Sequence, residues 1–211
     1  MIRDLFSSFI VALPAVFIVV DPFGVVPIFL AMMAREPPER VRETAKRACL
    51  VGCGLLVFFA LFGGLVFKVF AVTLSAFRVA GGFLLLVTSL DMLRGRTSLT
   101  KTSPAEEQEG AQKEDIAVVP LAMPLLAGPG SIATVMVLMS RGKGIVTAIP
   151  VVLSIVMTFV ASYYILRAAG LVQRVLGQSG VAILQRLMGL ILAALAVQFI
   201  AEGSRDLIRF P

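Results

Sequence analysis

Asp21-Pro22-Phe23-Gly24 breaks an apolar run that extends from about Leu5 to Met33. Gly128-Pro129-Gly130-Ser131 breaks a second run, Ile116 to Met139, at the corresponding place in the other half of the chain. Each break sets a proline just after a residue suited to begin a helix. Asp21 reads as an N-cap with Pro22 at the first helical position, and Gly128 with Pro129 repeats the arrangement. A helix start deep in apolar sequence leaves backbone N–H groups where no bulk water reaches them. Such ends are tolerated where they line a cavity, so these two stretches are the expected working site.

Working outward, composition sets the class. Of 211 residues, 58% are hydrophobic and 15% charged, with a mean hydropathy of +0.96. Several windows exceed about 18 nearly uncharged residues, which marks a polytopic membrane protein. The net charge of +6 does not point to nucleic acid, because the chain has no Trp or His and its basic residues lie mostly between apolar runs. They read as topology determinants. The N-terminal run continues through Asp21-Pro22 with no small-residue cleavage site, so it reads as a retained first helix and not a signal peptide. Cys49 and Cys53, four apart in an apolar run, read as small residues on one helix packing face.

Six segments reach or approach membrane-spanning length. After the first comes a polar loop, Ala34 to Arg47, carrying Arg35, Arg40, Arg42, Lys46 and Arg47. The second segment, Ala48 to Phe67, is rich in glycine, which permits close helix contact. Lys68 and Arg78 bracket a connector to the third, Val79 to Leu93, which at 15 residues and about 22 Å is short for a bilayer core. A hydrophilic linker, residues 95–115, precedes the fourth segment. The fifth runs from Ile145 to Leu166 and the sixth from about Leu187 to Ala201.

The two halves are related. Arg78, Gly81 and Gly95 recur as Arg186, Gly189 and Gly203 at an offset of 108, and Pro22 recurs as Pro129 at an offset of 107. Three spans per half is an odd number, so the second copy is inserted upside down relative to the first. The expected fold is therefore all-α and polytopic, with six transmembrane helices as two inverted three-helix repeats (1–94 and 116–211) and helices 1 and 4 broken near the midplane. That pattern is the sequence pointer to a transporter site. With the N-terminus outside, twelve of the 19 Lys and Arg fall in cytoplasmic loops and seven outside, which favours N-out and C-out.

Inverted half-helices starting at Pro22 and Pro129 enter from opposite sides and bring two positive dipole ends together. A carboxylate is well held there, near the N–H groups of Phe23, Gly24, Gly130 and Ser131. Gly24, Gly128 and Gly130 leave room for a small ligand, while Ser131 and Thr134 offer hydroxyls. The bland alternative is that Pro and Gly only kink packed helices, with Ser and Thr repairing the backbone. Asp21 reads either as a bare cap or as the group that takes a ligand ammonium, a coupling cation or a proton. Asp91 is a second candidate, or one half of an interfacial pair with Arg94. Gln198 is a cavity group or an interhelical hydrogen-bonding residue.

The segments DPFGVVPIFL (21–30), FRVAGGFLLLVTSLDMLRG (77–95), PLAMPLLAGPGSIATVMVL (120–138) and VQFIAEG (197–203) resemble the MarC family of prokaryotic integral membrane proteins. The resemblance covers essentially the whole chain apart from the linker. It implies amino-acid transport, since the family includes a small neutral amino-acid transporter acting on glycine and alanine and is grouped with an amino-acid exporter superfamily. It carries over the motif positions Asp21, Pro22, Gly24, Pro27, Gly128, Pro129 and Gly130. One position departs: many relatives have Asn after the motif glycine, where this chain has Val25.

The resulting expectation is a secondary transporter of small neutral amino acids in the prokaryotic cytoplasmic membrane. It works by alternating access, one three-helix half rocking against the other, with no bound cofactor and coupling to Na+ or H+ left open. The alternative is a passive channel or facilitator for small polar solutes. An enzyme is disfavoured, because the chain has no HExxH or CxxC motif, no His and no phosphate-binding loop. The lipid bilayer and a small-molecule substrate are the expected partners, nucleic acid is not, and homo-oligomerisation is left open.

Overall fold

The computed structural model describes residues 2–34, 36–69, 71–95, 117–140 and 144–209. The linker beyond Gly95 lies outside the described residues, as do Arg35, Arg96, Lys101, Lys113, Arg141 and Lys143 from the loop charges. The elements are α1 (Ile2–Val20), α2 (Pro22–Met32), α3 (Pro38–Val69), α4 (Leu74–Arg94), α5 (Ala117–Leu126), α6 (Pro129–Ser140), α7 (Ile145–Arg167) and α8 (Ala169–Arg209). No strand occurs among the described residues. Among the described residues five stretches are long and apolar enough to cross a membrane, the first being Leu5–Met32, which joins α1 to α2. The pair α5 and α6, bent by 56° at its break, makes a sixth candidate when it is counted as one span. The chain is an all-helical, multi-pass membrane protein.

Three boundaries differ from the sequence reading, each for a local reason. The polar stretch before residue 48 is largely helix, because α3 begins at Pro38, with Glu39 in its first turn beside the positive end of the dipole. Arg40, Arg42, Lys46 and Arg47 therefore lie on the opening turns of a 32-residue helix. The third helix is not short. Thr73 caps it, its Oγ1 accepting from Ala76 N at 3.2 Å, and the 21 residues of α4 span about 31 Å. Arg78, expected at the membrane boundary, sits inside α4 because its charge is met there. Its Nη1 donates to Asp206 at 2.9 Å and its Nη2 to Ser140 Oγ at 3.3 Å. Likewise α8 starts at Ala169, well before Leu187, and is interrupted at Gly177, whose φ of 64° is open to glycine.

The largest helix contact is α4 against α8. Those two run antiparallel. A Cβ on Gly203 would meet Ser75 and Val79, one on Gly82 would meet Ala196 and Ile200, and one on Gly189 would meet Ser89 and Met92. Glycine at these crossings lets the backbones approach within van der Waals range, which is what holds helices together in lipid. Nearly all other substantial contacts also join one half of the sequence to the other. The α1/α2 crossing packs on α7 and α8, and the α5/α6 crossing packs on α3 and α4. Two cores result. The larger one unites α1, α2, α3, α5, α6 and α7 around Phe29, Leu56, Leu126 and Ile155. The smaller one gathers Leu85, Val137, Leu192 and Phe199 with Ile18 and Val19. The halves are interlocked and do not stand side by side.

Candidate functional site

At the first break α1 stays regular up to Val20, and Asp21 N still donates to Phe17 O at 3.0 Å. Asp21 then turns left-handed, φ 51° and ψ 61°. Asp tolerates this region better than most residues because its short polar side chain bonds locally. Its Oδ1 accepts from Gly24 N at 3.1 Å, with Pro22 as the first helical residue. The cap is therefore present. Gly24 makes it possible: a Cβ there would fall on the Asp21 carboxylate. The space that Gly24 leaves empty holds that carboxylate.

The second break is built differently. Val119 (φ −128°, ψ 121°) and Met123 (φ −135°, ψ 123°) are extended, and each precedes a proline in the sequence, which pushes a residue out of the helical region. Ala127 N reaches back five residues to Ala122 O at 2.9 Å. Gly128 O then accepts the first bond of α6, from Ile132 N at 3.0 Å, so Gly128 is the N-cap. Having no side chain, it brings no acceptor to the helix start. A Cβ on Gly128 would lie 2.6 Å from the Pro124 carbonyl oxygen, and one on Gly130 would lie 2.7 Å from Leu85 Cδ2. Both glycines serve close packing here.

The two breaks meet. Ser131 Oγ lies 3.1 Å from Val19 O and 3.2 Å from Leu126 O, so one hydroxyl is shared between the carbonyl end of α1 and that of α5. Thr134 Oγ1 donates to Gly130 O at 2.9 Å. Asp21, Ser131 and Thr134 are 5%, 3% and 1% exposed, so this polar locus is closed off from its surroundings. Gly128 and Pro22 are buried with them, whereas Pro27 and Pro129 are exposed. Phe23 packs edge-on against Phe17 at 6.2 Å. Val25 is 1% exposed and belongs to the apolar face of α2.

Two expected polar groups lie elsewhere. Gln198 is exposed on α8 and donates to Glu202 Oε1 at 2.8 Å within the same helix. Asp91 is buried near the C-terminal end of α4, where Gly95 N closes the helix onto Asp91 O and Met92 O. Gln185 was not foreseen: its Nε2 makes a long hydrogen bond, 3.4 Å, to Gly24 O at the head of α2. Reading residues 167–186 as a connection hid it. The Arg78–Asp206–Ser140 cluster was hidden for the same kind of reason, since it joins positions far apart in sequence.

The profile of the MarC family integral membrane proteins matches residues 6–208. This chain belongs to the MarC family. A UPF0056 membrane protein of Methanocaldococcus jannaschii is 41% identical over 197 residues, covering 93% of this chain and 96% of that protein. The UPF0056 membrane proteins YhcE of Escherichia coli and YvbG of Bacillus subtilis are each 32% identical, over 192 and 204 residues, with coverage of 89% and 97% of their lengths. No solved structure matches. The residues matched in this MarC chain include both breaks.

Proposed function

We propose that this MarC-family chain is a secondary transporter of small neutral amino acids, of the size of glycine and alanine, across the prokaryotic cytoplasmic membrane with both termini outside. The observation that carries the reading is the Ser131–Val19 contact, which joins two broken helices into one buried polar locus. The asymmetry of the breaks supports a zwitterion. The start of α2 carries the Asp21 carboxylate and suits an ammonium group or a coupling Na+ or H+. The start of α6 has a positive dipole end with no acidic cap and suits a carboxylate. Substrate reaches this closed locus only when helices part.

Interlocked packing changes how they part. Rocking one sequence half against the other would disrupt nearly every large helix contact, α4–α8 first. The packing instead favours movement of the α4/α8 pair against the bundle of α1, α3, α5 and α7, with α2 and α6 between them. Antiparallel α4 and α8, and the exchanged packing of the broken crossings, support the inverted-repeat reading. The test is exchange of labelled glycine and alanine by purified protein in liposomes. Saturable, gradient-sensitive exchange supports the proposal, and linear flux points to a passive facilitator. No uptake above empty liposomes, with and without pH or sodium gradients, overturns it.

A further inference from the structure

A groove of about 400 Å³ runs between α3 and α7, with no residue of either break in its lining. Its floor is Cys49, Cys53 and Phe159, and its mouth is formed by Lys46, Tyr163 and Tyr164. The volume is that of a small-molecule site. Its outer edges are apolar and open: Leu50, Val160 and Tyr164 are 63%, 51% and 60% exposed. On a membrane-spanning protein such edges face acyl chains. The mouth has a different chemistry. Lys46 is exposed on the opening turns of α3, Arg42 lies one turn before it, and Arg167 lies one turn beyond Tyr163 and Tyr164 at the end of α7. Glu43 shares that face, leaving the rim net positive. Lysine, arginine and tyrosine at helix ends mark the headgroup level.

We propose that this groove binds one anionic phospholipid, its phosphate at Lys46 and one acyl chain laid along Cys49, Cys53 and Val160. Charge complementarity selects the headgroup, and the apolar track below selects a chain; basic pockets between transmembrane helices hold acidic lipids in this way. Gly52 sets the depth of the groove, since a Cβ there would meet the Phe159 ring at 2.6 Å and push α3 away from α7.

The chain has no tryptophan, so a single one reports its own surroundings. Tyr164→Trp protein is reconstituted in phosphatidylcholine bilayers containing dibrominated phosphatidylglycerol or, at the same mole fraction, dibrominated phosphatidylcholine. Half-maximal quenching is expected at about fivefold lower mole fraction of the acidic lipid, the ratio that one interfacial lysine supplies. Lys46→Gln should erase that preference and Lys46→Arg should keep it. Phe83→Trp, on the exposed face of α4, should be quenched equally by both lipids. Equal quenching of Tyr164→Trp by the two lipids, or a preference that survives Lys46→Gln, overturns the proposal. If Tyr164→Trp does not fold, Leu50→Trp on the other wall of the groove gives the same reading.

Discussion

At the first break a single residue leaves the helix, while ahead of the second two pre-proline residues, Val119 and Met123, do. Asp21 alone turns left-handed, the α1 ladder runs up to it, and its own carboxylate closes the start of α2. Before Gly128, α5 is twice extended and the crossing bends by 56°. The two breaks hold corresponding positions in the sequence and differ in chemistry. One helix start is capped by an acid; the other is capped by a residue with no side chain, against a backbone carbonyl. The two helix starts are thus chemically unlike.

The comparison can be broken most forcefully at Gly128. A Cβ there would press on the Pro124 carbonyl, which cannot rotate away, so Gly128→Ala is expected to destabilise by about 3 kcal/mol. Thermal unfolding in detergent measures this, and a near-neutral result would mean that the second break is not held by backbone contact. At the first break the obstacle is a side chain. Gly24→Ala is expected to cost about 2 kcal/mol by displacing the Asp21 cap, and to become nearly neutral in an Asp21→Ala background. Additive losses in that double-mutant cycle would contradict the coupling.

The joint between the breaks is weaker. Ser131→Ala removes one shared hydroxyl and is expected to cost about 1 kcal/mol, with Ser131→Thr retaining part of it. Unchanged stability together with unchanged transport would show that the contact does not couple the two crossings. The smallest stability effect belongs to Asp21→Asn, since asparagine keeps both the left-handed backbone and the cap, so a change within about 0.5 kcal/mol is expected. That variant isolates the charge. Transport and its pH dependence should change if the carboxylate meets a cation, and should stay as in the parent if Asp21 is only a cap.

Much of the membrane architecture was legible because hydrophobic run length maps directly onto bilayer thickness. The breaks were legible because Pro and Gly have local consequences that survive any packing. Charge was the misleading signal. Arg78 reads as a boundary, yet it lies within a helix, because Asp206 is brought to it from the far end of the chain. The basic residues of α3 read as loop, although Lys and Arg are good helix formers and only lie at the interface. Gln198 and Gln185 could not be ranked from sequence, since depth in a span does not say which way a side chain faces. One bonds along its own helix, and the other reaches the head of α2.

What the sequence determined by itself is therefore the class, most of the apolar helical runs and the identity of both breaks, all properties of local composition and chain-internal sterics. Only the tertiary structure decided that the halves interlock, that Ser131 reaches Val19, and that the glycines at the breaks are filled by Asp21, Pro124 and Leu85. The physical reason is that a glycine specifies an absence. Whether a ligand, a carboxylate or a carbonyl occupies it depends on which helix the fold lays alongside.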